Sequence, residues 1–384
     1  MRAGREDKRM NTMANVLNNS CLLIDTDKLR ENTRTILRTL PAGTKLIPVV
    51  KDDAYGMGMV GIVRTLCAFP EIDCFAVANV SEGLLLRREG VRQEILVMSG
   101  ALPFQYAAAV EGELTLTIGR AGMASELTAV CAAQRKSAKV QIKIETGLHR
   151  IGVEPGAELA GVAEELKAAE GVLQVTGAFS HFACPSDAAA CQKQYEFFLQ
   201  GVEQLEAAGI TVPLRHINGS EGTELFPQYS LDAVRVGRRL YMDNPTKPLG
   251  GIHEVASWRS YVTNVRVLHA GDTLGYDGAF RLKHDALVAT VAVGYGDGLH
   301  EGLVACHAPV LVGGERCPLL ACCIDQCFLD VTQVGAKAGD EVTFFGCDAY
   351  GNFLSSQETA NRVGRNEGCG LTAALAQRVA RLYV

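Results

Sequence analysis

Side chains that can do chemistry follow short β-branched runs, at the points where strands would end. Lys51 comes directly after the run LIPVV, and His181 lies near the end of VTGAFSHF. Lysine and histidine can act as nucleophiles or as proton carriers. A lysine that directly follows two valines is an unusual place for a solvated charge, so we interpret Lys51 as functional. For His181 the residues alone favour a hydrogen-bonded core histidine.

Other polar residues share this position at predicted strand ends. The fifth run ends in Glu145 and is followed by Arg150, Ser220 ends the seventh, and the eighth runs through Arg235 to Gly237. Barrels of alternating strands and helices often bind phosphate with the loops after strands seven and eight. Small residues in those loops let backbone N–H groups approach an anion, so the sequence predicts a phosphate site there.

A glycine-rich motif offers a different interpretation. Residues 56–61 read GMGMVG, which matches the G-x-G-x-x-G pattern of dinucleotide-binding turns. In such turns the first glycine follows the strand almost directly, whereas KDDAY intervenes here. The second predicted strand ends in Asn79 rather than in an acid, and Glu82 is the nearest candidate. A nicotinamide dinucleotide is therefore the less favoured ligand.

Strand-like runs alternate with segments of helical composition from residue 20 to about 245. Alternating strands and helices indicate parallel βα units, and eight of them favour a closed (β/α)₈ barrel. Residues 25–40 predict a leading helix with its N-cap near Asp25 or Thr26. The predicted strands are 46–50, 74–79, 94–99, 114–119, 140–145, 175–182, 214–220 and 233–241.

The pattern changes after about residue 250, where strand-like runs separated by Gly and Asp replace the helical periodicity. We predict an α/β protein in which residues 20–249 form the barrel and residues 250–384 form a mostly β domain. The last residues predict a short helix followed by an edge strand. Residues 1–19 are polar, and we predict a mobile tail.

Composition excludes several classes of protein. The net charge is −6, with 37 basic and 43 acidic residues interleaved, so there is no basic surface for nucleic acid. No uncharged run is long enough to span a membrane, and the N-terminus does not resemble a signal peptide. The 13 cysteines are odd in number and lack CxxC spacing, which argues against a disulfide framework and a metal site. We expect buried thiols in the cytoplasm.

Six motifs, in the same order, resemble those of the alanine racemase family. VVKDDAYGMG resembles V-V-K-A-N-A-Y-G-H-G, IKIETGLHRIG resembles K-x-D-T-G-M-x-R-x-G, and SHFA resembles T-H-F-A. LGYDGAF, GYGDG and CIDQ resemble S-Y-G-x-x-Y, G-Y-x-D-G and C-M-D-Q. The resemblance covers residues 20–384. It implies a pyridoxal 5′-phosphate barrel with a C-terminal β domain, working as a homodimer that interconverts L- and D-alanine for cell-wall precursors.

The resemblance also implies roles for single residues. Lys51 would bind the cofactor covalently and serve as one base, and Tyr276 would be the second base on the opposite face. Racemisation needs two bases because one side loses a proton and the other receives one. His216 and Arg235 match a family network that supports this tyrosine. Arg235 would also donate a hydrogen bond to the pyridine nitrogen without giving up its proton; a structural ion pair is the competing interpretation.

Further positions follow from the same resemblance. Lys143 matches a lysine that is often carbamylated in the family, although a lysine two residues before Glu145 could equally pair with that acid. Arg150 matches an arginine near the substrate carboxylate. The remaining implied residues are Tyr55, Ser220, Gly237 and Arg238 for the phosphate, His181 beside the cofactor ring, and Tyr295, Ile324 and Asp325 where a partner subunit completes the substrate pocket.

The sequence departs from the family pattern at several positions. Two acids, Asp52 and Asp53, follow the cofactor lysine, and Gln377 stands where some members carry a tyrosine that touches the phosphate. Val236, Phe280 and Ile324 replace a proline, a tyrosine and a methionine. These changes are compatible with racemisation, but they leave open whether the enzyme is specific for alanine. A broader racemase of serine and other small amino acids, and a non-catalytic pyridoxal-phosphate carrier, are the alternatives.

Overall fold

The computed structural model of the chain describes residues 18–243, 250–365 and 368–384. Of the tail predicted at residues 1–19, only the last two residues fall within these ranges. The chain then forms strand β1 (Ser20–Ile24) and helix α1 (Thr26–Thr39). Asp25 caps α1, because its Oδ1 accepts hydrogen bonds from two N–H groups of the first turn, at 3.1 and 3.0 Å.

Eight parallel strands and the helices between them follow. The strands are β2 (Lys45–Pro48), β3 (Cys74–Val77), β4 (Glu94–Val97), β5 (Thr115–Ile118), β6 (Ala138–Lys143), β7 (Leu173–Phe179), β8 (Arg215–His216) and β9 (Ala233–Val236). The helices are α2 (Met59–Leu66), α3 (Val80–Arg88), α4 (Tyr106–Glu111), α5 (Met123–Gln134), α6 (Ala157–Ala168), α7 (Ala188–Ala207), α8 (Ser220–Leu225) and α9 (Arg238–Tyr241).

These strands close into a barrel. Strands β3 to β8 form one sheet in chain order, and β2 pairs in parallel with β9. A bridge between Val49 and Ala76 joins the β2 side to β3. The main-chain N–H of Arg235 donates to the carbonyl of Asn218 at 3.0 Å, which joins β9 to the segment after β8. Every residue of β3 and β5 is buried, as expected for parallel strands covered on both faces.

The observed strands differ in length from the prediction, and the two largest differences lie at the ends of the last two barrel strands. The seventh barrel strand, predicted at 214–220, is only Arg215–His216, and α8 begins at Ser220. The eighth, predicted at 233–241, ends at Val236, because the chain turns at Gly237 into α9. Both strands are therefore shorter than predicted. Helices α8 and α9 begin shortly after these strands end, where the candidate phosphate-binding residues lie.

The second half of the chain is mostly β. Its strands are β10 (Ala256–Leu268), β11 (Thr273–Leu274), β12 (Phe280–Arg281), β13 (Ala286–Val291), β14 (Pro309–Val312), β15 (Glu315–Cys322), β16 (Cys327–Asp330), β17 (Glu341–Cys347), β18 (Phe353–Leu354) and β19 (Ala380–Tyr383). With β1 they form a second sheet of nine strands in the order β18-β17-β14-β15-β16-β13-β10-β1-β19, while β11 and β12 pair separately. Because β17 also pairs with β10, the six strands from β17 to β10 in this order form a closed ring. Short helices α10 (Glu301–Ala305), α11 (Ser356–Asn361) and α12 (Cys369–Thr372) complete this half.

The predicted fold class, a barrel followed by a mostly β domain, is confirmed. Strand β1 was not predicted, and it belongs to the second sheet, where it pairs antiparallel with β10 and parallel with β19. The chain divides into two compact units. The unit with the second sheet contains the described residues up to Asn32, Tyr55–Gly61 and those from Tyr241 onward, and the unit with the barrel strands contains Thr33–Ala54 and Ile62–Leu240. The boundary between residues 249 and 250 stays a prediction. None of the helices in the described ranges combines the length and apolar composition that crossing a membrane requires.

The glycines of the GMGMVG motif serve close packing within the compact unit that contains the second sheet. A Cβ on Gly56 would lie 2.0 Å from the carbonyl oxygen of Thr372, and one on Gly58 would lie 2.1 Å from the hydroxyl of Tyr383. A Cβ on Gly61 would lie 2.0 Å from the same tyrosine ring. The main chain of Thr372 and the side chain of Tyr383 thus occupy the space that side chains at positions 56, 58 and 61 would need. This packing accounts for the motif without a dinucleotide.

We predict that Gly56→Ala destabilises the protein far more than Gly43→Ala. The two glycines have matching φ angles of 83° and 84°, but nothing lies within 4 Å of a Cβ at Gly43. The backbone conformation alone costs about 1–2 kcal/mol in each variant. The clash at Gly56 adds about 1–3 kcal/mol, measured by urea unfolding. Equal losses in the two variants would contradict this packing.

Candidate active site

Lys51 begins a single turn of left-handed helix that ends at Tyr55. Asp52, Asp53 and Ala54 have φ of 53°, 53° and 54° and ψ of 51°, 44° and 51°, close to the ideal left-handed values. This conformation costs an L-residue about 1–2 kcal/mol, and aspartate tolerates it better than most. Several such residues in succession require surrounding contacts that hold them.

Glu82 supplies one of those contacts and joins the turn to the chain after β3. Its Oε1 accepts a hydrogen bond from the N–H of Asp52 at 2.7 Å, and its Oε2 accepts from the N–H of Ala78 at 2.7 Å. Glu82 is also the reciprocal partner of Asn79 in the capping box that starts α3. The acid considered for a dinucleotide ribose therefore holds the turn after Lys51. The Asn-x-x-Glu spacing of a capping box was the signal in the sequence.

Arg235 is the centre of the polar network inside the barrel, with 4% of its surface exposed. Its Nη1 donates to Nδ1 and to the carbonyl of His216, at 2.6 and 3.2 Å. Its Nη2 donates to the carbonyls of Ser180 and Ile217 and to Nδ1 of His181, at 2.6, 3.1 and 3.0 Å. These acceptors are all neutral. Within the described residues the guanidinium has no carboxylate partner, and its Nε–H makes no hydrogen bond.

The arginine fixes the protonation of the two histidines. Because Nδ1 of His216 accepts from Arg235, its proton is on Nε2, which lies 2.8 Å from Oε1 of Gln141. Burial lowers the pKa of His216 well below its usual value, and the charge of Arg235 lowers it further. The pKa of His181 is lowered well below its usual value by the same two causes. Both imidazoles are therefore neutral at physiological pH.

Phe179 links these groups and was not singled out in the sequence. Its ring stacks on that of His216, with centroids 5.1 Å apart and planes 2° from parallel. The guanidinium of Arg235 and the ammonium of Lys143 lie 5.1 and 5.2 Å from the same ring centroid. Gln141 was also missed. The signal was the alternation of polar residues at 141, 143 and 145 in a strand, which points them to one face.

Lys143 is buried and unpaired by any ion pair or hydrogen bond in the described parts of the chain. Burial lowers its pKa to about 7, and the charge of Arg235 contributes. Burial alone would raise the pKa of Glu145, but the N–H groups of residues 147–149 donate to it and bring the pKa below its usual value. The carboxylate of Glu145 is thus committed to the turn that follows it.

Arg150 lies beyond this turn and is exposed. Its guanidinium has no hydrogen bond or ion pair with the residues that the structure describes. Its positive charge nevertheless reaches the interior, because it lowers the pKa of Lys143, His181 and Arg235. The position suits an arginine that receives an anionic group from solvent.

The loops after β8 and β9 meet at Ser220 and Gly237. The N–H of Gly237 donates to Oγ of Ser220 at 3.2 Å. Gly219 lies against the imidazole of His181, since a Cβ there would be 2.6 Å from Cε1. Arg238 begins α9 directly after Gly237. The structure therefore brings together the residues predicted to bind phosphate from these two loops.

The remaining predicted residues lie in the compact unit that contains the second sheet. Tyr55 ends the left-handed turn, with its ring centroid 5.5 Å from that of Tyr241. Gln377 is exposed on the turn before β19. Tyr276 follows Gly275 in the β11–β12 hairpin and is 79% exposed. Its hydroxyl makes no hydrogen bond within the described ranges.

Tyr295 and Ile324 lie on two turns that are bonded to each other. The N–H of Tyr295 donates to the carbonyl of Cys323 at 3.1 Å, and that of Gly296 donates to the carbonyl of Ile324 at 2.8 Å. The side chains of Tyr295 and Ile324 are 49% and 54% exposed, and Asp325 is exposed beside them. Large apolar side chains are thus presented to solvent at adjoining turns.

The buried Asp297 holds the first of these turns. Its Oδ2 accepts a hydrogen bond from the N–H of Gly294 at 2.9 Å, and its Oδ1 pairs with Nε of Arg378 at 2.9 Å. The motif GYGDG was quoted for its match, but the role of Asp297 was not predicted. The signal available in the sequence was an aspartate between two glycines in this motif.

Family models match almost the whole chain. Residues 24–245 match the model of the alanine racemase N-terminal domain, and residues 255–383 match that of the C-terminal domain. The chain belongs to the alanine racemase family. It is 31% identical over 372 residues to alanine racemase 2 of Caldanaerobacter subterraneus, covering 94% of each chain. It is 30% identical to the alanine racemase of Halothermothrix orenii over 94% of this chain and 95% of the relative.

Solved structures of the family agree with this fold. The alanine racemase of Bacillus anthracis with bound L-Ala-P superposes with a TM-score of 0.89 at 26% identity, covering 96% of this chain and 95% of that one. The alanine racemase of Streptomyces coelicolor superposes with a TM-score of 0.88 at 27% identity, covering 97% and 99%.

Enzymes of this family use pyridoxal 5′-phosphate, and the residues present here fit that cofactor. The amine of Lys51 has no hydrogen bond or ion pair in the described ranges, so it is available for covalent binding. Arg235 has an unused N–H for a neutral ring nitrogen. Ser220 and Gly237 offer a hydroxyl and a main-chain N–H to a phosphate. The donors thus match an aldehyde, a pyridine and a phosphate.

We predict that Lys143 makes stability depend on pH. Its pKa is about 7 in the folded protein and 10.5 ordinarily, so between pH 7 and 9 the unfolded chain binds more protons. Its contribution is therefore present at high pH and is lost as the pH falls through 7. Relative to Lys143→Met, the unfolding free energy of the wild type should rise by about 2 kcal/mol from pH 7 to 9.

Urea titrations in carbon-dioxide-free buffer measure this difference. Lys139→Met is the matched control, because Lys139 lies on the same strand with an exposed ammonium. The control should follow the wild type across the pH range. A Lys143→Met curve parallel to the wild type would contradict a neutral buried lysine.

Proposed function

We propose that the protein is an amino-acid racemase that interconverts L- and D-alanine with pyridoxal phosphate on Lys51. The observation that carries this proposal is the setting of Arg235, a buried cation whose described partners are all neutral and which retains one free N–H. A guanidinium can donate to the pyridine nitrogen but hardly protonates it. An unprotonated ring is a weaker electron sink, which suits a proton transfer that must not go on to other reactions.

The chain's own residues would move the proton. When bound, the cofactor supplies an electron-withdrawing ring that acidifies the α-hydrogen of an attached amino acid. Nζ of Lys51 would take or return this proton on one face, and the phenolic oxygen of Tyr276 would do so on the other. Two positioned bases are required because inversion places the departing and arriving protons on opposite faces.

The surrounding residues would bind and orient the substrate and cofactor. Arg150 would receive the substrate carboxylate through its planar fork. Lys143, with its pKa near 7, has the neutral amine needed to form a carbamate with carbon dioxide, and we propose this modification rather than pairing with Glu145. His181 would lie beside the cofactor ring, supported by Arg235, and His216 would hold that arginine in turn. The phosphate would be bound by Tyr55, Ser220, Gly237 and Arg238.

A second copy of the chain would complete each site. Tyr276, Tyr295 and Ile324 are between 49% and 79% exposed, which is unusual for large apolar side chains grouped at the turns of one unit. We propose a homodimer in which these residues, with Asp325, enter the site of the partner. Gln377 has no proposed role, because it is exposed and makes no hydrogen bond or ion pair with the residues that the structure describes.

The proposal extends to the cell. D-alanine would serve cell-wall precursors, and the enzyme would work in the cytoplasm, where its thiols stay reduced. The substrate class is a small amino acid. Serine is the competing substrate, and assays of alanine and serine in parallel decide between a strict and a broader racemase.

We predict that Tyr276→Phe lowers racemisation in both directions by about 10² to 10⁴. The variant keeps the ring and deletes only the proton-carrying oxygen. Covalent cofactor binding should survive, shown by borohydride trapping of the cofactor on Lys51. Exchange of the α-hydrogen with solvent deuterium should survive better from the D enantiomer, which Lys51 would deprotonate.

Two outcomes would overturn this assignment. Racemisation at the wild-type rate in Tyr276→Phe would make Tyr276 a structural phenol. Failure of wild-type protein with trapped cofactor to racemise either amino acid would favour a non-catalytic carrier. Tyr350→Phe is the matched control, because Tyr350 is also exposed, at 72%, and has no proposed role.

We also predict that inactive variants complement each other. Mixed chains carrying Lys51→Ala and Tyr276→Phe should form hybrid dimers with one intact site, since each chain supplies the residue that the other lacks. Random exchange predicts recovery of about a quarter of wild-type activity. Demonstrated subunit exchange without recovery would mean that each site is built within one chain.

A further inference from the structure

The hairpin of β15 and β16 places two cysteines opposite each other. Cys322 is the last residue of β15, Cys327 is the first of β16, and they are register partners in the antiparallel pair. Residues directly opposite in such a pair present their side chains on the same face. Cys323, which follows Cys322, presents its side chain on the opposite face.

The position of Cys322 and Cys327 in the hydrogen-bond pattern of the hairpin favours a disulfide between them. The N–H of Cys323 donates to the carbonyl of Gln326 at 2.7 Å, so residues 323 and 326 form the hydrogen-bonded pair that closes the hairpin. Because the two classes alternate, Cys322 and Cys327 form a non-hydrogen-bonded pair, with Cα atoms about 4.5 Å apart. This separation lies within the range of about 4.4–6.8 Å that a disulfide spans.

The two thiols differ in their access to solvent. Cys327 is fully buried in a central strand between β13 and β15, whereas Cys322 is partly exposed. Burial raises the pKa of both thiols, and the nearby Cys322 raises that of Cys327 further. Both are therefore protonated at neutral pH, and an oxidant from solvent meets Cys322 first.

We propose that Cys322 and Cys327 form a reversible disulfide when the protein meets a peroxide. Cys322 first loses its proton to solvent, because the thiolate is the nucleophile. The thiolate attacks one peroxide oxygen, the O–O bond breaks, and the other oxygen leaves as hydroxide and takes up a proton to become water, giving a sulfenic acid. The Cys327 sulfur then attacks the Cys322 sulfur, the S–O bond breaks, and the Cys327 proton leaves with that oxygen as a second water. Two thiols are oxidised, and one hydrogen peroxide is reduced to two waters.

The disulfide would fasten the turn that the hairpin carries. Residues 323–326 join the two cysteines, and the carbonyls of Cys323 and Ile324 hold the main chain of Tyr295 and Gly296. A covalent link one position below the turn restricts its opening. Oxidation would therefore stiffen both turns at once, and this effect does not depend on the proposed racemase activity.

Peptide mapping of the full-length, cofactor-loaded protein tests this proposal. After hydrogen peroxide treatment and alkylation of free thiols, trypsin and a protease that cleaves before aspartate should release peptide 317–324 linked to peptide 325–329. The link corresponds to the loss of two hydrogen atoms, and dithiothreitol should restore them. Cys322→Ser should abolish the link, whereas Cys323→Ser, the matched control, should keep it. Amide hydrogen exchange at residues 323–326 should slow on oxidation in the wild type and in Cys323→Ser, but not in Cys322→Ser.

Three outcomes would overturn the proposal. The first is both peptides alkylated after peroxide treatment that oxidises other cysteines of the same sample. The second is a link that persists in Cys322→Ser, which would assign it to Cys317 or Cys323. The third is a link without any change in hydrogen exchange at the turn, which would remove the structural consequence. Cys322→Ala repeats the test with a second side chain.

Discussion

The structure depends on a buried cation, Arg235, that has no counter-ion among the described residues. A guanidinium in a protein interior costs several kcal/mol of desolvation unless its protons are bonded, and Arg235 meets this demand with carbonyls and imidazoles. Those carbonyls belong to the chain just after β7 and β8, while the arginine itself lies on β9. A single side chain thus joins the ends of three barrel strands. Displacing it would leave several acceptors buried and unpaired.

The same charge sets the electrostatics of its surroundings. Burial and the charge of Arg150 lower the pKa of Arg235 to about 9. Burial, together with the charge of Arg235, lowers the pKa of His216, His181 and Lys143. A region of like charges favours neutral amines and imidazoles over their protonated forms. It also favours anions that arrive from outside. A phosphate and a carboxylate are such anions, and Lys143 reaches its low pKa without any acid bonded to it in the described residues.

Much of this arrangement could be predicted from residue patterns. The eight barrel strands and their order follow from β-branched runs that alternate with helices, and the chemistry at their ends follows from the barrel itself. Strand β1 could not be predicted in its place, because its partners lie more than 230 residues away in the chain. Gln141, Phe179, Glu82 and Asp297 were missed because their importance lies in what they contact. A strand residue shows its face in the sequence, but not the group stacked on it.

The pairing of β1 with β19 has a consequence for how the polypeptide is made. β1 lies near the start of the chain and β19 near its end, and the main chain of Val384 exchanges hydrogen bonds with Ile24 and Thr26. During synthesis, β19 leaves the ribosome after all the other described strands. The barrel strands can assemble while translation continues, but one edge of β1 stays unpaired until β19 has been made. The second sheet is therefore completed after the strands of the barrel, and a chain that stops before β19 would keep that edge open.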